Sequence, residues 1–245
     1  MPRIRTLLVA PALLLSGACI PYTTGTTATP VAEGTLVPNS AIYFVPGGME
    51  NFNGDSAGAS IIGMDVEIRY GIDARSDIGV RFPGFSGVVL NYKRRVDGGP
   101  AEGPAVALLL GTGVVNAGEH FELEASLLAS GRPNEDITPY GGLKTIVVIP
   151  AIAEAVRDEP SVGVFAGLRL GTERLGMSPE VAVFYDPSAL GLRDGNWIVV
   201  PSVTFHGREL FDLLLGRGTP MRTPRPPGPR VPPYPARQAV PPDPP

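Results

Sequence analysis

Few residues in this chain have the chemistry of a catalyst. There are two histidines, His120 and His206, and one cysteine, Cys19. Neither histidine belongs to a His-Glu-x-x-His or similar ligand spacing, so metal catalysis is not expected. A histidine-activated hydroxyl is not signalled either. His120-Phe121-Glu122 and His206-Gly207-Arg208 supply no serine at short spacing, and Ser126 and Ser202 are only same-face neighbours further along. Gly111-Thr112-Gly113 and Gly141-Gly142 lack the Gly-Lys-Ser/Thr of a phosphate loop and read as turn or strand-bend glycines. No catalytic, cofactor-binding or metal-binding residue is assigned, and a non-enzymatic protein is expected.

Charge in alternation is the stronger pattern. Asp65, Glu67 and Arg69 interleave with Met64, Val66, Ile68 and Tyr70. Arg81 stands with Asp77 and Gly79, opposite Ile78, Val80 and Phe82. Lys93 and Arg95 stand with Asn91, opposite Val88, Leu90 and Tyr92. Glu122 and Glu124 share a face with His120 and Ser126, against Phe121, Leu123, Ala125 and Leu127. Arg169 shares one with Gly163, Phe165 and Gly167, against Val162, Val164, Ala166, Leu168 and Leu170. A two-residue period of this kind is a β-strand with one apolar and one polar face. In a closed barrel Asp65, Glu67, Arg69, Arg81, Lys93, Arg95, Glu122, Glu124 and Arg169 are candidate lumen charges. They either line a path for a polar solute or, by default, satisfy one another as ion pairs, because buried unpaired charge is costly.

The elements that would position them are strands throughout. The chain has 245 residues with Gly 31 and Pro 28, a mixture that suits many short strands joined by turns. Strands are expected at 41–45, in a meander over 60–96, and at 105–111, 119–128, 141–149, 161–171, 180–186 and 197–206. That makes about ten in all, with eight also compatible. Residues 112–118 read as a loop, 151–160 as a short helix, and 209–215 as a helical turn or short strand. Pro201 is awkward within the last strand, because it lacks the N–H a ladder needs. The net charge of −4 implies no general affinity for nucleic acid.

The chain opens with Arg3 and Arg5, then an uncharged run containing Leu7, Leu8, Val9, Leu13, Leu14 and Leu15, then Ser16-Gly17-Ala18-Cys19. A run this short is a secretory signal, not a membrane span. The small residues ending at the sole cysteine resemble a bacterial lipobox, although Leu15 lies one place further from Cys19 than the usual leucine. The resemblance implies cleavage before Cys19 and its acylation. Ile20 in place of the aspartate that marks inner-membrane retention implies the outer membrane. The expected organisation is a signal peptide at 1–18, a flexible Thr/Pro/Gly/Ala tether at 19–39, a β-domain at 40–206, and a C-terminal segment at 207–245 with a disordered proline-rich tail. Arginines in that tail could touch peptidoglycan, an envelope partner or anionic lipid, or only keep it soluble.

Two architectures fit an amphipathic antiparallel sheet. In a membrane barrel the apolar face meets lipid and the charges face the lumen. In a lipid-tethered soluble barrel or sandwich, lipocalin-like in its physics, the apolar face turns inward around an apolar ligand. Strand length, the even count, and aromatics near strand ends on the apolar side (Tyr70, Phe82, Tyr92, Tyr185, Trp197, Phe205) favour an up-and-down membrane barrel. The stretch Glu67 to Arg81 also resembles small bacterial outer-membrane barrels, in which Gly-Ile-x-x-Arg followed by Asp-Ile/Leu-Gly-Val marks a periplasmic hairpin. That resemblance implies a fold and a place, namely contact with outer-membrane lipid and a structural, adhesive or narrow-pore role. The chain departs from the family in continuing about forty residues beyond Phe205. The two architectures place Val66, Ile68, Val162 and Val164 on opposite sides of the sheet.

Overall fold

The structure is a computed structural model that describes residues 21–49, 59–99, 103–132, 136–151, 160–171, 175–186, 197–207 and 209. The signal peptide, Cys19, the body of the helix expected at 151–160, the segment beyond Glu209 and the proline-rich tail lie outside these residues.

Ten antiparallel strands close into one barrel in the order β1-β10-β9-β8-β7-β6-β5-β4-β3-β2. They are β1 (Leu36–Met49), β2 (Ala59–Asp73), β3 (Ser76–Pro83), β4 (Val88–Arg95), β5 (Ala105–Val115), β6 (His120–Ser130), β7 (Ile137–Pro150), β8 (Ser161–Gly171), β9 (Gly176–Tyr185) and β10 (Trp197–His206). Each strand pairs with its sequence neighbour, and β1 pairs with β10 to close the ring. The start of β1 and the end of β10 lie at the same end as the connections 74–75, 96–104, 131–136 and 172–175, here called the turn end. The connections 50–58, 84–87, 116–119, 151–160 and 186–196 form the opposite, loop end.

Several strands are longer than their apolar alternation announces. β1 starts at Leu36, β7 at Ile137 and β9 at Gly176, and β5 runs through Gly111-Thr112-Gly113 to Val115 where a loop is expected. The glycines of β5 and β7 are strand positions because cross-strand neighbours keep them in the ladder. Gly111 pairs with Glu124, and Gly141 with Ala129. Inward glycines also make room for large lumenal side chains on the strand opposite. A Cβ on Gly63 would come within 2.3 Å of the ring of its partner Tyr43, and one on Gly163 equally close to the ring of its partner Phe184. Pro201 finds its place at the closing seam. The β1–β10 ladder runs only from Asn39↔His206 to Tyr43↔Ser202, so it ends one residue before the proline.

The faces decide between the two architectures. Val162, Val164 and Ile68 are exposed (49, 53 and 38 %) and Val66 is half-buried, all on the outside of the barrel. Asp65, Glu67, Arg69, Arg81 and Lys93 are buried inside. The polar faces of these strands turn inward, the opposite of the arrangement a lipocalin-like domain requires. The lumen is filled by charged side chains and by an apolar cluster that includes Leu109, Leu128, Ile146, Phe165, Phe184 and Ile198. Outward aromatics sit toward both ends. Trp197 and Tyr185 stack edge to face at the loop end, with centroids 5.3 Å apart, and Tyr70 lies on the outside nearer the turn end.

The tether expected at 19–39 is corrected over its described part. Residues 36–39 belong to β1, and residues 21–31 run inside the barrel, with Tyr22, Thr23, Thr24, Thr27 and Ala28 buried, before the chain turns at the exposed Ala32, Glu33 and Gly34. A Thr/Gly/Pro/Ala segment with no apolar period builds no helix or strand of its own, so its backbone groups need partners elsewhere. Here the barrel wall supplies them.

Candidate functional site

The charged residues of β2, β3, β4, β6 and β7 form one connected chain of alternating sign across the lumen. Lys93 Nζ lies 3.1 Å from Asp77 Oδ2. Asp77 also meets Arg69, whose Nε donates to Asp77 Oδ1 at 3.0 Å. Arg69 Nη1 pairs with Glu67 Oε1 at 2.8 Å, and Arg81 Nη2 approaches the same oxygen at 3.7 Å. Arg81 Nη1 reaches Glu124 Oε2 at 3.3 Å, and Lys144 Nζ closes the series on that oxygen at 2.9 Å. Strands β3 and β6 are not neighbours, so the Arg81–Glu124 pair bridges the lumen. Neutral amides complete the coordination. Asn91 Nδ2 donates to Glu67 Oε1 at 2.7 Å, and Asn91 Oδ1 accepts from Arg69 Nη1 at 2.7 Å. Asp65 accepts a hydrogen bond from the Tyr43 hydroxyl at 3.3 Å. Alternation of sign is how a low-dielectric interior tolerates this many charges, each group facing its opposite.

The two lysines that end this chain hold the lumenal segment. Lys144 Nζ donates to the carbonyls of Pro21 at 2.6 Å and Thr23 at 2.9 Å. Lys93 Nζ donates to Thr26 Oγ1 and to the carbonyls of Thr27 and Thr29, each at 3.0 Å. Carboxylates take the segment's amides. Glu180 accepts from Thr24 N at 2.9 Å and Gly25 N at 3.0 Å, and Asp77 accepts from Val31 N at 2.8 Å. Near the loop end Tyr22 donates to Asp186 Oδ2 at 2.9 Å and packs edge to face on Phe184. At the turn end Gly34 N donates to Gly71 O at 2.9 Å, and Gly71 N to Thr35 O at 3.0 Å. The segment therefore threads the lumen from the Phe184 level down to the hairpin between β2 and β3. Two of the spaces left beside it measure about 70 and 10 Å³.

Of the nine expected lumen charges, Glu67, Arg69, Arg81, Lys93 and Glu124 belong to the ion-pair chain, and Asp65 lies against it. Glu122 is fully buried on β6, and neither of its carboxylate oxygens has a hydrogen-bond partner among the described residues. Arg95 stands apart at the turn-end rim, paired with Asp97 at 2.7 Å. Those bonds from Arg95 hold the Asp97 carboxyl well below the usual carboxylate range. Arg169 lines the larger cavity together with Thr138, Ser178 and His206. His120 and His206 lie at opposite ends of the barrel and do not form a pair. Sequence reasoning passed over Lys144, Glu180 and Asp186 and left Asp77 out of the candidate set. Asp77 carried a signal in its alternation with Arg81. Lys144 carried almost none, because Leu143 and the Ile146–Ile149 run are apolar on both faces.

No family model matches the chain, and no curated protein matches it. Among solved structures it is similar to Neisserial surface protein A at 13 % identity, over 70 % of this chain and 94 % of that one, with a TM-score of 0.33. It is similar to the N-terminal β-barrel domain of Pseudomonas aeruginosa OprF at 13 % identity, over 72 % and 99 %, with a TM-score of 0.30. A de novo designed transmembrane β-barrel matches at 12 % identity, over 72 % and 98 %, with a TM-score of 0.31. Likeness at this level says nothing about activity.

Proposed function

We propose that this protein is a bacterial outer-membrane β-barrel of structural or adhesive type, lipidated at Cys19, non-enzymatic, and closed by its own N-terminal segment. The observation that carries this reading is the inversion of its faces, with Val162, Val164, Leu90 and Ile62 exposed outside and charges buried within. Such a surface is unfavourable in water and suits hydrocarbon. Eight of the ten strands run to ten residues or more, the length a tilted strand needs to cross a bilayer, and the two longest connections, 151–160 and 186–196, lie at the loop end. The threaded lumen favours a structural or adhesive role over a narrow pore. The sole cysteine behind Ser16-Gly17-Ala18 supports acylation.

The test is extraction and migration of the full chain from bacterial envelopes. The protein should fractionate with outer membranes, migrate faster unheated than boiled in a detergent gel, and incorporate labelled palmitate, with the label lost in Cys19→Ala. Release as a monomer into detergent-free buffer after removal of residues 1–19 would overturn the membrane reading. In planar bilayers the wild-type barrel should give no stable conductance steps.

A further inference from the structure

The direction of the thread fixes the side on which the chain begins. Its contacts descend in order. Tyr22 meets Phe184 and Asp186, Thr24 and Gly25 meet Glu180, Thr26 to Thr29 meet Lys93, Val31 meets Asp77, and Gly34 meets Gly71 at the turn end. The chain then reverses and climbs as β1. Pro21 is therefore the uppermost described residue of the thread, and its carbonyl is clamped by Lys144.

Chain length does the rest. Two residues span at most about 7 Å, so Cys19 stays within that distance of Pro21. Along β7 Lys144 stands midway, about 18 Å of barrel height from Ile137 and about 15 Å from Pro150 at ~3.3 Å per residue and ~40° tilt. Tyr22, however, is held against Phe184 and Asp186 at the loop-end terminus of β9, so the short remainder of the chain lies toward that rim. While the thread is seated, a chain beginning at Cys19 cannot reach the turn end.

We infer that the mature amino terminus leaves the barrel at the loop end, opposite the membrane face where β1 starts and β10 stops. This rests on the membrane reading above, in which the loop end is the cell exterior. An acyl group on Cys19 then belongs to the outer leaflet. The lumenal segment is a strap joining a surface anchor to β1 through the protein's own barrel, and the proline-rich tail after β10 is left on the periplasmic side. The neutrality of residues 21–32 fits this role, because every charge that clamps the strap comes from the wall.

The experiment places one epitope in each of three full-length proteins: between Ile20 and Pro21, within residues 187–196, and after residue 220. Antibody labelling is read on intact and on permeabilised bacteria, counting only protein with heat-modifiable migration, so that unfolded chains do not contribute. The expected result is labelling of the first two on intact cells at comparable strength, and of the third at least tenfold more after permeabilisation. If the 187–196 epitope is exposed on intact cells but the Ile20 epitope appears only with the tail epitope, the threading inference is overturned and the membrane reading stands. If the 187–196 epitope is itself hidden on intact cells, the membrane reading fails and the inference fails with it.

Discussion

Two arginines and two lysines make up the cations of the lumenal ion-pair chain and do different work. Arg69 spans Glu67 and Asp77, and Arg81 spans Glu67 and Glu124, so each guanidinium joins two carboxylates of the wall. Lys93 and Lys144 each meet one carboxylate and turn their remaining donors on the thread. The chemistry of the two side chains accounts for the division. A guanidinium is a planar fork suited to bridging carboxylates. An ammonium is a compact centre with three donors that can converge on backbone carbonyls lying to one side. The arginines therefore hold the barrel to itself, and the lysines hold the thread to the barrel.

Removing an arginine should break the barrel more than the thread. Arg81 faces the charges of Asp65, Glu67, Glu122 and Glu124. Arg81→Met leaves that group short of a cation in a buried site, which should cost about 3–5 kcal/mol of folding stability. Urea unfolding in vesicles, followed by heat-modifiable migration, measures it. Adding Glu124→Gln should recover part of the loss, because one uncompensated carboxylate is removed.

The outer face supplies the next largest effect and contrasts with the lumen as a whole. Val164→Arg puts on the exterior the side-chain type that the interior pairs. On a lipid-facing midplane it should cost about 2–4 kcal/mol in the same unfolding assay. The effect should be small if that face meets water.

Removing the lysines should free the thread and spare the barrel. In Lys93→Met with Lys144→Met, Asp77 keeps Arg69 and Glu124 keeps Arg81. Planar-bilayer recordings should then show discrete conductance steps that the wild type lacks, while heat-modifiable migration persists. Lys93→Arg should fall between, since the fork keeps Asp77 but cannot converge on Thr26, Thr27 and Thr29. Closed recordings from the double variant would show that Glu180, Asp77, Asp186 and the Gly71 backbone hold the thread without the lysines.

The same division explains what could be read in advance. The barrel was legible because alternation in segments such as 64–70 and 162–170 is local information, one residue in and the next out. The arginine half of the site was legible for the same reason. The thread was not, because residues 21–35 have no period, and their partners on the barrel lie 36 to 164 positions away in sequence. Lys144 was hidden for a related cause. Its strand carries apolar residues on both faces where the lumen turns apolar around Ile146. The inward glycines at 63 and 163 were visible in the sequence, but the rings they accommodate, Tyr43 and Phe184, belong to neighbouring strands.

The smallest effect belongs to an arginine of the turn-end rim that joins neither group. Arg95 holds Asp97 by two bonds, Nε to Oδ1 at 2.8 Å and Nη2 to Oδ2 at 2.7 Å, and the same carboxylate accepts from Val106 N and Gly99 N. This fastens the connection between β4 and β5 at the turn-end rim. The Asp97 carboxyl is depressed below its ordinary value near 4, so the folded state binds that proton less readily than the unfolded chain does. The contribution is therefore complete above about pH 5 and fades as pH falls through the ordinary value toward the folded one. Amide exchange at Val106 and Gly99 should quicken on acidification relative to the mid-barrel amides. Asp97→Asn should remove that pH dependence while leaving both the conductance and the overall unfolding transition close to wild type. A loss of barrel stability as large as that of Arg81→Met would mean that the rim, and not only the lumenal arginines, holds the wall together.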